Sequence, residues 1–286
     1  TVAVYVFEMD DWITVLLLIC CATLVILYNV SQWCNYIMRI SFFYICIFLH
    51  GVECNITMIP SWIAGSGADL IFHTFKYWTL WTGINVDVRG FEENLKRLSG
   101  SAVVICNHQS TVDVVAMTRV WPPRGTVMMK ESLKYIPFFN LTSIFANAVF
   151  VKRFKRGRVS DTVEQCVKQM KKYNLKIWIF PEGTRNHGDG MLPFKKGAFN
   201  IAVRGGFPIV PIVLSNYRPF YSKPDRYFKS DGEVIAQVLN PISTKGLTEE
   251  DVPELSQKVR SMMLDVYHDI SKEAAEKMRR KRQQSS

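Results

Sequence analysis

The sequence has no C-x-x-C pair among its seven cysteines, at positions 20, 21, 34, 46, 54, 106 and 166. An odd count without paired spacings argues against a disulfide framework and against a zinc module, so the thiols read as reduced. No internal repeat is visible, which sets aside solenoids and propellers. No basic region precedes the first apolar run, where Glu8, Asp10 and Asp11 stand in place of the positive flank of a cleaved signal peptide. Nor does any charge occur from Trp12 to Met38. About 20 apolar residues cross a bilayer, so a transmembrane helix is expected over about residues 12–30.

What is present sharpens this picture. The 286 residues are 48% hydrophobic and 13% aromatic, enough for a sizeable core. Lys and Arg number 35 against 25 Asp and Glu, a balance of +10 that favours an anionic partner: a membrane surface, a phosphorylated substrate or nucleic acid. Residues 40–63 are again apolar and aromatic, but they contain His50, Glu53 and Asn55 and follow Arg39. An interfacial or re-entrant segment over about 36–63 fits them as well as a second span. Ala64-Gly65-Ser66-Gly67 follows as a hinge. The expected organisation is a membrane-embedded helical region at 1–68 and an α/β domain at 69–286. The chain starts at Thr1 without a methionine, so residues can be missing upstream.

Beyond residue 69 a helix with Phe72, Phe75, Trp78 and Trp81 leads to an extended stretch at 84–88. Strand-like and helix-like segments then alternate. Strands are expected at 102–106, 126–129, 149–151, 176–180, 209–214 and 233–238. Helices are expected up to Arg119, around 138–145, from Ser160 or Asp161, and at 197–204 ahead of Gly205-Gly206. A last helix carries Leu255, Val259, Met262, Val266 and Ile270 at helical spacing and ends in the basic tail 277–282. This order is that of an α/β fold, a mostly parallel sheet covered by helices.

Asn107-His108-Gln109-Ser110-Thr111-Val112-Asp113 directly follows the strand at 102–106. Open α/β folds place their ligands at that carboxyl end. His108 and Asp113 would stand roughly 140° apart on an ideal helix, so they do not share one face. If a helix begins near Ser110, Asp113 lies in its first turn and can hold one imidazole nitrogen while the other serves as general base. Ser110-x-x-Asp113 equally fits a capping box. Cys106 and Ser110 are competing nucleophile candidates, the first more naturally a core residue and the second a helix cap.

Two further loops leave the same edge. Phe180-Pro181-Glu182-Gly183-Thr184-Arg185-Asn186 offers a glycine for close backbone approach and an arginine able to grip a phosphate with two prongs. Phe150-Val151-Lys152-Arg153 runs a strand into cations, so one anion could meet Arg153 and Arg185 together.

These blocks, with Val210-Pro211-Ile212-Val213, resemble in order the four motifs of the glycerolipid acyltransferases. Met191-Leu192-Pro193-Phe194-Lys195-Lys196-Gly197-Ala198-Phe199 is similar to the 1-acylglycerol-3-phosphate (lysophosphatidic acid) acyltransferases of animals. Asn147 departs from the glycine common in the second block.

The resemblance implies a membrane enzyme of the endoplasmic reticulum that transfers a fatty acyl group from acyl-CoA to the sn-2 hydroxyl of lysophosphatidic acid. His108 would be the base and Asp113 its partner, with Arg153, Glu182, Gly183, Thr184 and Arg185 on the acceptor. Asn107, Phe180, Pro181 and Pro211 are the supporting motif positions. It implies no metal, no bound cofactor, no acyl-enzyme and no nucleic-acid partner; acyl-CoA is a substrate and membrane lipids are the surroundings. The acidic flank before the first span and the basic residues after it put the catalytic part on the cytosolic side. Another lysophospholipid as acceptor, lipid-to-lipid transacylation, acyl-CoA hydrolysis and a non-catalytic scaffold are the rival readings.

Overall fold

The structure is a computed structural model that describes residues 2–63, 67–130, 135, 144, 148–151 and 159–285. The helix expected around 138–145, apart from Ile144, lies outside the described residues, as do Asn147, Arg153 and most of the hinge at 64–67.

Helices α1 (Val2–Val30) and α2 (Gln32–Ile63) are separated only by Ser31. Each has a stretch long and apolar enough to cross a membrane, Trp12–Val30 and Gln32–Ile59. They differ in surroundings. The described part of α1 is almost wholly exposed, whereas α2 buries Tyr36, Ile40, Phe43, Cys46, His50, Cys54 and Met58, a stripe at helical spacing. That stripe packs on α3 (Gly67–Trp78) and on the domain behind it. The opposite side of α2 leaves Phe42, Ile45, Phe48 and Leu49 exposed.

The seven-stranded sheet has the order β1-β9-β6-β2-β5-β3-β4. Its strands are β1 (Asn85–Arg89), β2 (Ala102–Cys106), β3 (Gly125–Lys130), β4 (Val149–Val151), β5 (Lys176–Ile179), β6 (Ile209–Leu214) and β9 (Glu233–Val238). All neighbours pair in parallel except β6 with β9. A small antiparallel hairpin, β7 (Tyr221–Ser222) and β8 (Tyr227–Phe228), lies apart; the sequence carries no alternation that would announce strands of two residues.

β2 is the middle strand, and all five of its residues are buried. That is why it is an unbroken apolar run rather than an alternating one. Val104 and Cys106 face one core with α2, α3 and α4 (Asp113–Met117); Val103 and Ile105 face the other with α5 (Val159–Tyr173), α6 (Gly197–Gly205) and α7 (Val252–Ser285). α6 stops where Gly206 takes φ +65°, a left-handed cap that a side chain would resist. On α7 the buried stripe is Leu255, Val259, Met263, Tyr267, Ile270, Ala274 and Met278. Met262 and Val266, expected in it, are half-buried at its margin. The Tyr267 hydroxyl donates to Asp189 at 3.0 Å, a bond that suits this rotation of the helix.

Candidate active site

Parallel strands deliver their following loops to one edge, and β2, with β5 on one side and β6 on the other, puts three loops together there. The extended chain after Cys106 alternates in, out, in. Asn107 turns inward and clamps β6: its Nδ2 donates to the Leu214 carbonyl at 2.9 Å and its Oδ1 accepts from the Leu214 N–H at 2.8 Å. Gln109 repeats the device, donating to Ser215 O at 2.9 Å and accepting from the Tyr217 N–H at 3.2 Å. His108 between them points outward, with 19% of its side chain exposed.

The imidazole is held on three sides. Nδ1 lies 2.6 Å from Asp113 Oδ2. The Phe180 ring, just past β5, stacks on it at 3.9 Å. Its backbone N–H donates to Glu182 at 2.8 Å, and its carbonyl accepts from the Asn186 N–H at 2.7 Å. An ionised carboxylate can only accept, so the ring proton sits on Nδ1 and the lone pair on Nε2. Nε2 has no hydrogen-bond partner among the described residues.

Asp113 serves both roles that the spacing allowed. It also accepts from the N–H groups of Gln109 at 2.9 Å and Ser110 at 3.2 Å, which is half of a capping box. The other half is absent, because the Ser110 hydroxyl accepts from Val112 N–H at 2.9 Å. The helix accordingly begins at Asp113 and not near Ser110. Ser110 is buried with its hydroxyl engaged, and Cys106 is fully buried with its thiol pushed well up by burial, then by Asp113 and Glu182. Neither presents a reactive atom to the loop cluster.

Glu182 departs from the expectation. It is buried, and its two oxygens accept from the N–H groups of His108 and Leu192, each at 2.8 Å. Burial pushes its carboxyl up, and the two N–H groups pull it back. It is a strut joining three loops, turned inward from the face that carries Gly183, Thr184 and Arg185. Those three are exposed. Gly183 takes φ +69°, and a Cβ there would run into the Lys195 side chain. Pro181 accepts from Lys195 N–H at 2.8 Å, which anchors the segment after the loop. Pro211 lies in β6, and its carbonyl accepts from Leu239 N–H at 2.9 Å, just past the last residue of β9.

The surroundings are cationic. Arg185 has no ion-pair partner among the described residues, and burial, then Lys223 and Arg185, pushes the His187 imidazole below its usual range. β4 ends on the same edge, but Arg153 beyond it is outside the described residues. Two features escaped the sequence reading: the Gln109 clamp, whose signal is its in-phase spacing with Asn107, and a 3.0 Å bond from Tyr44 on α2 to Thr111. Among the described residues no group of three His, Cys, Asp or Glu side chains could hold a metal.

Comparison with known proteins gives concordant results. The family model "Acyltransferase" matches residues 85–215, the span of these loops. The Caenorhabditis elegans protein acl-2, provisionally named a 1-acyl-sn-glycerol-3-phosphate acyltransferase, is 52% identical over 94% of this chain and 95% of its own. The Saccharomyces cerevisiae 1-acyl-sn-glycerol-3-phosphate acyltransferase is 39% identical over 74% of this chain and 67% of its own. The crystal structure of PlsC, the 1-acyl-sn-glycerophosphate acyltransferase of Thermotoga maritima, superposes with a TM-score of 0.62 at 21% identity, covering 82% of this chain and 98% of that one.

Proposed function

The chain belongs to the 1-acyl-sn-glycerol-3-phosphate acyltransferase family, and from that premise we propose that it moves a fatty acyl group from acyl-CoA to the sn-2 hydroxyl of lysophosphatidic acid, giving phosphatidic acid and CoA. The observation that carries the reading is the His108–Asp113 pair, 2.6 Å apart, with the imidazole Nε2 without a hydrogen-bond partner among the described residues and the loop carrying the exposed Arg185 bonded to the His108 carbonyl through the next residue, Asn186.

Nε2 takes the proton of the acceptor hydroxyl as that oxygen attacks the thioester carbonyl. The C–S bond then breaks, and the imidazolium returns the proton to the departing sulfur. Asp113 fixes the tautomer and stabilises the imidazolium, and the Phe180 stack keeps the ring from swinging away. General-base help of this kind is worth about 10² to 10⁴-fold. The acceptor is itself the nucleophile, which agrees with the burial of Cys106 and Ser110. Arg185, Thr184, the Gly183 backbone and Arg153 hold the acceptor's phosphate and glycerol, fixing its hydroxyl against His108.

α1 and the exposed apolar side of α2 anchor the enzyme in the endoplasmic reticulum membrane, with the catalytic part on the cytosolic side. The acidic flank before Trp12 and the basic residues beyond α1 support that orientation. The test is purified protein with labelled oleoyl-CoA, with and without lysophosphatidic acid, following lipid product and free CoA. CoA release should require the acceptor. Equal release without it would make the protein a thioesterase, and lipid product without acyl-CoA would make it a transacylase.

A further inference from the structure

The break between α1 and α2 is polar, with Tyr28 before it and Gln32 and Asn35 after it, and Gln32 Nε2 donates to the Asp225 carbonyl at the β7–β8 turn. Between this break and the segment after β8 lies a cavity of about 420 Å³, within the range of about 300–1,000 Å³ usual for small-molecule sites. Arg39, only 8% exposed, lines it. The guanidinium lies between the rings of Trp81 and Phe228 at 5.3 and 4.8 Å and donates to the Tyr28 hydroxyl and the Thr82 carbonyl. Its Nε has no partner, and no carboxylate among the described residues pairs with it.

A buried guanidinium without a counter-charge is costly, and the aromatic rings offset only part of that cost. Lys229 lines the same cavity and also lacks an ion-pair partner among the described residues. Asp231 lines it too, but its charge is matched by Arg282. The cavity therefore holds two cations without an ion-pair partner among the described residues. None of its lining residues comes from the loops around His108.

We infer that this cavity binds the phosphate of a glycerophospholipid head group at a site distinct from the acyltransfer site. The phosphate lies against Arg39 and Lys229. The inference rests on the membrane reading above, because the last turn of α1 is where the chain leaves hydrocarbon and where head-group phosphates lie. Two cations set the preference: a head group of net negative charge such as phosphatidylinositol is favoured over the zwitterionic phosphatidylcholine, whose own cation opposes them.

The test uses the full chain purified in mild detergent, without acyl donor, so that it reads binding independently of catalysis. Retention of phosphatidylinositol and phosphatidylcholine is measured by native mass spectrometry for the wild type, Lys229→Ala and Arg39→Gln, with inorganic phosphate as competitor. The wild type should retain phosphatidylinositol preferentially. Lys229→Ala, a surface change that should leave acyltransfer intact, should weaken retention by about tenfold, the loss of one charge-assisted bond. Arg39→Gln should weaken it further. Equal retention by the wild type and Lys229→Ala, equal retention of the two lipids, or displacement by inorganic phosphate at the lipid's own concentration would overturn the proposal.

Discussion

Replacing Glu182 by Gln isolates the strut beneath the catalytic histidine. The carboxylate accepts two backbone N–H groups with separate oxygens, His108 on one side and Leu192 on the other, each at 2.8 Å. An amide has one accepting oxygen, so one of these buried donors must lose its partner and face an NH₂. Leaving a buried donor unsatisfied costs about 1 to 3 kcal/mol. An opposing effect favours the lower half of that range. Burial raises the folded pKa of Glu182, so its ionisation subtracts stability at neutral pH, a cost that disappears as pH falls below the unfolded value and that the neutral amide never carries. For a chain of this size each kcal/mol moves Tm by roughly 2 to 4 °C. The His108 backbone would also shift, and a displacement of about 1 Å in a positioning element can lower kcat by about 10²-fold. Glu182→Gln should thus lower Tm by a few degrees and lower kcat while leaving KM for lysophosphatidic acid near the wild-type value. Steady-state kinetics over the acceptor, with a melt in the same detergent, decides it. An increase in KM alone, at unchanged Tm, would return Glu182 to the substrate and refute the strut.

Asp113→Asn keeps an oxygen for the Gln109 and Ser110 N–H groups but loses the charge that stabilises a protonated imidazole; kcat should fall by about 10² to 10⁴-fold with little loss of Tm. Asp113→Asn combined with His108→Ala should be no slower than His108→Ala alone, and an additive loss would mean that the two do not act as a unit. Arg185→Ala should raise KM for lysophosphatidic acid by about tenfold or more, the worth of a bond of about 1.5 to 3 kcal/mol to a charged phosphate, with only partial rescue by Lys. An equal loss on lysophosphatidylcholine counts against the phosphate contact. Burial would push Glu233 up, but the Asn85 amide and the Lys281 and Lys277 ammonium groups hold its carboxyl below the usual range. Its stabilisation is fully present above the unfolded pKa of about 4.3 and is lost as pH falls through the lower folded value. The Tm difference between the wild type and Glu233→Gln should therefore be widest near neutrality and close in acid; a gap independent of pH would contradict this.

Strands that are buried on both faces were legible, because β2, β6 and, after Lys176, β5 are continuous apolar runs between polar turns. The geometry of the site was less so. Asp113 is a cap and an imidazole partner at once, and spacing alone could present these only as alternatives. The inward turn of Glu182 depends on an N–H group 74 residues away, which no local pattern encodes. On α7, Met262 and Val266 satisfy helical spacing as well as Met263 and Tyr267 do, and tertiary contact chooses between them. The reach of α2 was hidden for a related reason: its apolar residues go all round the helix, and composition does not say which of them face protein.

Tyr36, Ile40 and Phe43 of α2 belong to the same cluster of buried side chains as Val104, Cys106 and Leu214 of the sheet. The core is thus continuous across residue 68, where the composition changes, and the helix that shows Phe48 and Leu49 to its surroundings is also a layer of the catalytic body. A chain begun at residue 69 would bare the side chains that Tyr36, Ile40 and Phe43 cover, and such a truncation is expected to lose solubility, read by expression and light scattering. The anchor is not a tether. With α2 packed against the sheet and joined through Tyr44 to Thr111 beside His108, the proposed membrane anchoring would hold His108 at a set distance from α2, and lipids would have to come to it.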